Sequence, residues 1–184
     1  MKERPILFSA PMVRAILAGQ KTQTRRIVKL PPGCGVGTYT TDGEALPHEY
    51  VIAEPDGDPG PPLRCPFAAG MNLWVKETHC FGGSDSFGPI YRASGATLPA
   101  GAKWRPSIFM PRWASRINLR VTDIRAERLH DITEAGARVE GCRGSVATFG
   151  RAWDEYRDLW EEINGVGAWK LNPWVWVVSF EVRR

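Results

Sequence analysis

An amine, a hydroxyl and a guanidinium fall within six residues near the start of this 184-residue chain, at Lys21, Thr24 and Arg26. A threonine hydroxyl becomes a useful nucleophile only when a base removes its proton. A lysine amine can be that base if burial or nearby cations lower its pKa from about 10.4 by roughly three units, which costs about 4 kcal/mol. The run 19–26 therefore predicts either a catalytic site in a dry pocket or a basic turn that meets phosphate.

A short helix must precede this run. Ser9 can cap it, Pro11 suits its first turn, and Gly19 ends it. An apolar stripe at helical spacing is supplied by Met12, Val13, Ile16 and Leu17. The sequence thus predicts that the run 19–26 leaves a helix and forms an irregular turn.

Other elements follow from periodicity. Strands are predicted over residues 73–78, 117–122 and 174–182, and a helix from Asp131 or Thr133 to about Glu140. Residues 31–70 are rich in glycine and proline and predict a long surface loop, whose length suggests a lid. A helical aromatic stripe consists of Trp153, Tyr156, Trp160 and Ile163. Core packing is the favoured interpretation of the stripe, and a base-stacking platform is the alternative.

The run 19–26 resembles the signature of the ASCH domains of the PUA-like superfamily, which is glycine-x-lysine-x-x-glutamate-x-arginine after a short helix. Gly19, Lys21 and Arg26 match it. Thr24 stands at the glutamate position, as in the small bacterial N4-acetylcytidine amidohydrolases of that family. The resemblance continues with lower specificity along the three predicted strands.

This resemblance implies an α+β, mainly β fold: a small PUA-like β-barrel with flanking helices and long loop insertions. It implies one domain, 1–184, with insertions at about 31–70, 81–111 and 143–172. By the same resemblance Lys21 would be the general base, Thr24 the nucleophile on an acyl carbonyl, and Glu140 the acid that protonates the departing amine. Glu134 competes with Glu140 for the last role.

Residues 104–107, 111–116 and 172–176 are similar instead to larger ASCH proteins of bacteriophages and prophages. Indole rings and guanidinium groups offer stacking faces and charge to a base or phosphate. The residues expected to bind substrate are Arg26, Trp74, Glu77, Arg112, Trp113 and Arg116. Two structural alternatives stay open: a tryptophan–arginine stack that holds an insertion, and an ion pair between Glu77 and Arg26.

Composition narrows the class of protein. The net charge of +4 and the pI near 9.0 come with two basic clusters, which suit phosphate or a solvated surface equally. The four cysteines lack the spacing of metal or redox motifs, so we expect free thiols, no metal and no cofactor. Neither a membrane-length apolar run nor a secretory leader is present, which favours the cytoplasm of a bacterial or phage-infected cell. The oligomeric state stays open.

Three functions are compatible with these residues. The leading hypothesis is an amidohydrolase that removes an acyl group from a modified nucleoside such as N4-acetylcytidine. The alternatives are a module that binds RNA or a modified base without cleaving it, and a nuclease. The nuclease has the weakest basis, because no cluster of carboxylates suited to a metal is evident.

Overall fold

The computed structural model of the protein describes residues 3–41, 44–56, 59–81, 88–144 and 150–183, and these are mostly strands with three α-helices among them. The strands are β1 (Glu3–Leu7), β2 (Gln23–Ile27), β3 (Gly35–Thr41), β4 (Glu44–Ala53), β5 (Pro59–Leu63), β6 (Asn72–Lys76), β7 (His79–Phe81), β8 (Pro89–Tyr91), β9 (Asn118–Arg128) and β10 (Trp174–Arg183). The α-helices are α1 (Ala10–Leu17), α2 (Glu134–Val139) and α3 (Ala152–Asn164). Short 3-10 helices span Arg92–Ser94, Ser107–Phe109, Arg112–Ala114 and Leu129–Asp131.

The main sheet has five strands in the order β1-β6-β9-β10-β2. β1 and β6 are parallel, and the other neighbours are antiparallel. Over the described ranges the sheet is open, with β1 and β2 as its edges. A three-stranded sheet (β3-β4-β5) and the β7-β8 pair complete the architecture. The predicted mixed, mainly β class is confirmed.

The helix predicted before the run 19–26 is present as α1, and Gly19 follows it with φ +70°. The prediction of an irregular turn is correct only for residues 19–22, because residues from Gln23 onward form β2 and pair with β10. A local sequence pattern does not reveal hydrogen bonding to a strand about 150 residues away, so the polar run was predicted to be irregular.

The prediction of a loop over residues 31–70 is wrong. Most of this segment forms β3, β4 and β5, whose antiparallel pairing supplies regularity that the sequence pattern lacks. It packs on the main sheet: the rings of Tyr50 and Trp176 meet edge-on at 5.2 Å, and the Tyr50 hydroxyl accepts a hydrogen bond from the Ala126 amide at 3.0 Å. The segment is therefore a second sheet packed against the core and not the predicted long surface loop.

The remaining predicted elements are present with shifted ends. Residues 73–78 correspond to β6, 117–122 to the start of a longer β9, and 174–182 to β10. Thr133 caps α2 by accepting a hydrogen bond from the Gly136 amide at 3.0 Å, and Glu140 follows the last helical residue. Residues 82–87 and 145–149, which belong to the predicted insertions 81–111 and 143–172, lie outside the described residues.

Strand β10 is buried on both faces and separates two apolar clusters. Trp176, Val178 and Phe180 belong to the cluster that includes α1 and β1. Val175 and Val177 belong to the cluster that includes α2 and α3. The stripe of α3 packs in the core, as the favoured interpretation predicted, because Tyr156 and Trp160 are buried. Ile163, the last member of the stripe, is exposed.

Two further properties concern the whole described chain. All four cysteines are free thiols, as predicted. No helix in the described ranges has the length and apolarity needed to cross a membrane.

The bond between Tyr50 and Ala126 tests how the second sheet is attached. We expect Tyr50→Phe to lower the free energy of unfolding by about 1 kcal/mol, the usual net value of one hydrogen bond. The Ala126 amide should also exchange its hydrogen faster, because its acceptor is gone. Chemical denaturation and residue-resolved hydrogen exchange measure the two effects; unchanged protection at Ala126 would contradict this attachment.

Candidate functional site

The side chain of Lys21 is completely buried, and its ammonium group has three acceptors. It donates to the Glu140 carboxylate at 2.5 Å, to the Glu140 carbonyl at 2.9 Å and to the Gln23 carbonyl at 2.8 Å. An ammonium carries three N–H donors, so these contacts use all of them. Lys21 and Glu140 are 119 positions apart in the chain, yet they form the closest ion pair of this site.

The second oxygen of Glu140 accepts a hydrogen bond from Arg25 Nη1 at 3.0 Å. Arg25 also donates from Nε at 2.9 Å and from Nη2 at 2.6 Å to one oxygen of Glu127 on β9. Arg25 is buried, and the Glu127 carboxylate is mostly so. Two cations and two carboxylates thus form a continuous charged network, which we call the ion network, between β2, β9 and the end of α2.

Burial and charge act in opposite directions on the cations of the ion network. Burial lowers the pKa of Lys21 below its ordinary value, and the neighbouring Glu140 carboxylate only partly offsets this effect. Burial also disfavours the Arg25 cation, but Glu140 and Glu127 outweigh it and raise the pKa of Arg25. Lys21 is therefore the cation of the network that gives up its proton more readily.

Gly141 allows the end of α2 to approach the run 19–26. Its φ of +99° disfavours other residues, and a Cβ there would lie 3.0 Å from the Ala15 Cβ and 3.4 Å from the Lys21 Cβ. The Thr22 amide donates to the Val139 carbonyl at 2.9 Å, which joins the same two segments. The backbone after α2 is thereby held where Glu140 reaches Lys21.

A small cleft of about 70 Å³ opens beside the ion network. Consecutive residues of β2, whose side chains alternate between faces, line it together with α1 and α3, so the cleft lies along the free edge of the strand. Its walls are Met12, Thr24, Arg25, Arg26, Ile27, Glu140, Tyr156, Leu159, Trp160, Ile163 and Asn164. We call it the Thr24 cleft. Lys21 lies behind Glu140 and is not among these walls.

A second cleft of about 290 Å³ shares Met12, Glu140 and Leu159 with the Thr24 cleft. It is acidic, because Glu155, Asp158 and Glu162 also line it. Small-molecule sites usually have about 300–1,000 Å³. The Thr24 cleft alone is thus small for a nucleoside, whereas the two adjoining clefts together reach the lower end of that range.

Three polar groups at the Thr24 cleft are uncommitted. Within the described ranges, the buried indole N–H of Trp160 has no hydrogen-bond partner. Strand pairing leaves the other two free. Thr22 and Val28 are the positions bonded to β10, and bonding alternates along an antiparallel strand, so the backbone N–H and C=O of Arg25 point to the free edge.

Arg26 lines the Thr24 cleft, but its partners lie outside the ion network. It donates to the Leu7 carbonyl at 2.9 Å, and its guanidinium lies 5.4 Å from the Phe8 ring centre. Burial lowers its pKa. The suggested ion pair between Arg26 and Glu77 is wrong: Glu77 is buried against Arg116, which donates to its two oxygens at 2.9 and 3.0 Å.

The structure divides the residues expected to bind substrate. Arg26 lines the Thr24 cleft, whereas Trp74, Glu77, Arg112, Trp113 and Arg116 do not. Arg112 lies 5.8 Å from the Trp74 ring centre and pairs with Glu3, and Trp113 projects from the surface. These residues surround β6 and β7 instead, so they do not complete the site at Lys21.

Some wall residues were missed from the sequence. Tyr156 and Trp160 were interpreted as core, which they are, but they also line the Thr24 cleft. Nothing in the sequence indicated Glu127, because it is one of several charged residues on β9 and its partner Arg25 is far away in the chain.

No group of three or more His, Cys, Asp or Glu side chains in the described part of the chain is placed to hold a metal ion.

Glu134, the competing acid, has a different position. It accepts hydrogen bonds from the backbone amides of Ala152 and Trp153, each at 3.0 Å, and pairs with Arg138. The two amide bonds lower its pKa, with Arg138 contributing less. Glu134 thus anchors the start of α3, and Glu140 is the one of the two carboxylates in contact with Lys21.

Comparisons with known proteins give little. No family model matches the chain, and no curated protein matches it. Among solved structures, the crystal structure of an Enterococcus faecalis V583 protein, described under the family model DUF984, is similar over 99% of this chain and 80% of that one, with 13% identity and a TM-score of 0.41. A likeness of this strength says nothing about function.

Removing Glu140 should strongly destabilise the fold. Glu140→Ala leaves Lys21 without its carboxylate and Arg25 with Glu127 alone, and breaking a buried pair costs about 3–5 kcal/mol. Lys21→Met should lower the free energy of unfolding by less, because Glu140 keeps its ion pair with Arg25. Urea denaturation measures both, with exposed Glu162→Ala as control; equal small losses for Glu140→Ala and Glu162→Ala would contradict the ion network.

Glu134 should stabilise the protein in a pH-dependent manner. Its pKa is lowered in the folded state, so its contribution is present above the ordinary value of 4.5 and is lost as the pH falls through the lowered pKa. Glu134→Gln should therefore lower the melting temperature at pH 7, and the difference from the parent should shrink in acid. Exposed Glu181→Gln is the control; a pH-independent difference would be contrary to this assignment.

Proposed function

We propose that the chain is an ASCH-type amidohydrolase that removes an acyl group from a modified nucleoside such as N4-acetylcytidine. One observation carries this proposal: Thr24 and Glu140 line the same small cleft, and a buried lysine contacts Glu140 directly behind it. We also propose that the open five-stranded sheet, with the second sheet packed on it, is a variant of the PUA-like barrel. The run 19–26 supports both proposals through its resemblance to that family.

In the proposed reaction, Lys21 and Glu140 hold one proton between them, and the reacting form is a neutral amine beside a neutral carboxylic acid. Lys21 takes the hydroxyl proton of Thr24 while the Thr24 oxygen attacks the acyl carbonyl carbon. Glu140 gives its proton to the nucleobase nitrogen as the amide C–N bond breaks. This half-reaction releases the amino nucleoside and leaves an acyl ester on Thr24, an ammonium and a carboxylate.

Water completes the cycle. Glu140 takes a proton from the water that attacks the ester carbonyl, and Lys21 returns a proton to the Thr24 oxygen as the ester bond breaks. The carboxylic acid leaves, and the pair is again an amine beside a carboxylic acid. Each residue gives and takes one proton per cycle, so the 2.5 Å contact between Lys21 and Glu140 is well suited to this chemistry.

The surrounding groups fit an acyl amide. The free backbone groups of Arg25 can pair with the edge of a nucleobase, which offers adjacent donors and acceptors. Donors near the carbonyl oxygen, such as the unpartnered Trp160 N–H, stabilise the negative charge that develops there. The Thr24 cleft and the adjoining cleft together provide the volume for the acyl group and the base.

A non-catalytic binding module is the second candidate, and one observation favours it. All three donors of Lys21 have acceptors, two of them carbonyls and one a carboxylate, and this arrangement stabilises the ammonium instead of the amine. An ammonium cannot be the base for Thr24. The same cleft would then hold an acylated or unmodified nucleoside without cleaving it.

Thr24→Val tests the nucleophile, because valine keeps the shape of threonine and removes the hydroxyl. We expect release of cytidine from N4-acetylcytidine to fall about a thousandfold or more, as for other enzymes that lose a nucleophile. Chromatography measures the product, and mass spectrometry of the quenched parent protein should find an acetyl group on Thr24.

Thr22→Val is the matched control, since Thr22 is exposed two positions away. It should keep the parental rate. Full activity of Thr24→Val would remove Thr24 as nucleophile. A parent protein that binds N4-acetylcytidine in a calorimeter but never hydrolyses it would support the binding module instead.

A further inference from the structure

We infer that a second surface, separate from the Thr24 cleft, binds single-stranded nucleic acid by stacking bases on aromatic rings between cations, with the exposed ring of Trp113 at its centre. This surface, which we call the aromatic strip, lies around β6, β7 and the 3-10 helix Arg112–Ala114. Its members are Trp74, Lys76, Phe81, Arg105, Arg112 and Trp113. The inference is independent of whether the Thr24 cleft is catalytic.

Trp113 is the centre of the aromatic strip. Its side chain is 70% exposed, which is rare for the largest apolar residue, because such rings usually bury their area. One face of the indole stacks on Phe81, with ring centres 5.1 Å apart and an angle of 26° between the planes. The neighbouring Ala114 is buried and anchors the short helix. The ring is therefore held in place while much of it stays open to a partner.

Phe81 is supported from several sides. The Arg105 guanidinium lies 5.4 Å from its ring centre, and His79 meets it edge-on at 4.8 Å. His79 and Arg105 exchange two backbone hydrogen bonds, at 3.2 and 2.7 Å. This bridge fixes the Arg105 segment against β7, so the cation and the two stacked rings form a preorganised platform.

Trp74 provides a further, partly exposed ring. Lys76 and Arg112 lie 5.4 and 5.8 Å from its centre. Arg112 is oriented by Glu3 and by the Asn118 amide oxygen, at 2.8 and 2.9 Å. Because Arg112 and Trp113 are consecutive, the contacts run without a break from Trp74 to Phe81 and Arg105.

The charge of the aromatic strip favours a polyanion. Among the described residues, no carboxylate lies within ion-pair distance of Lys76, Lys103 or Arg105, and the exposed Glu3 partner of Arg112 neutralises only one cation. A shallow cleft of about 560 Å³ lies next to Phe81 and is lined by Lys103 and Arg105. Phosphates can follow such cations while bases stack on the rings.

Single strands fit this chemistry better than other partners. Base stacking on aromatic side chains requires unpaired bases, which a duplex does not offer. An apolar protein partner would match the exposed Ile108 and Phe109 but not the cations Lys103 and Arg105, which have no carboxylate partner among the described residues. The strip combines rings and cations in alternation, which is the pattern that single-strand binding proteins use.

Fluorescence anisotropy with labelled oligonucleotides tests the inference on the full chain. We expect 12-nucleotide single strands of RNA and of DNA to bind, and a duplex of the same sequence to bind more weakly. Trp113→Ala should weaken single-strand binding by about 5- to 150-fold, the range for one lost base–aromatic stack. Trp113→Phe should restore most of the affinity, because it keeps a stacking face.

Charge is tested separately. Arg105→Gln should reduce the slope of log K against log salt by about 0.7, the value for one phosphate contact on a single strand. The matched controls are Leu171→Ala and Lys170→Gln, which are exposed on another part of the surface. Thr24→Val should bind like the parent, which separates this inference from the proposed function.

Two outcomes would overturn the inference. One is parental binding of single strands by Trp113→Ala together with equal losses for Arg105→Gln and Lys170→Gln, since affinity would then come from net charge alone. The other is the absence of binding by the parent to either strand at 50 mM salt. A preference for RNA or for DNA would identify the polymer and would not change which surface binds it.

Discussion

One carboxylate between two buried cations is the contact on which this structure depends. Glu140 accepts hydrogen bonds from Lys21 with one oxygen and from Arg25 with the other, and Arg25 continues to Glu127. Removing charges from water is costly, and only close, fully hydrogen-bonded partners offset the cost. The ion network therefore requires β2, β9 and the end of α2 to hold their positions together, and this requirement places Glu140 in the wall of the Thr24 cleft.

The same network explains why structure and chemistry are inseparable at this site. Burial pushes Lys21 towards the neutral amine, whereas its carbonyl and carboxylate acceptors favour the ammonium. The proposed hydrolysis needs the neutral amine of Lys21, whereas binding without cleavage is compatible with the ammonium.

The topology also separates two surfaces that the residue types alone had merged. β2 forms one edge of the main sheet, and β6 lies next to the opposite edge, three strands away. At about 4.8 Å per strand, that is roughly 14 Å across the sheet. The aromatic and basic residues near β6 thus form their own platform, and their partner is best sought among polymers that can extend beyond one cleft.

The sequence by itself determined the local elements and pointed to the residues that could carry chemistry. Periodicity and capping within a few residues predicted α1, α2 and the main strands, and the run 19–26 singled out Lys21 and Thr24. Only the tertiary structure decided that residues 31–70 form a sheet, that Glu134 anchors α3 and that Glu77 pairs with Arg116. The physical reason is range: helix periodicity is encoded by neighbours in the chain, whereas strand partners and buried counter-charges, such as Lys21 and Glu140, meet across more than a hundred residues.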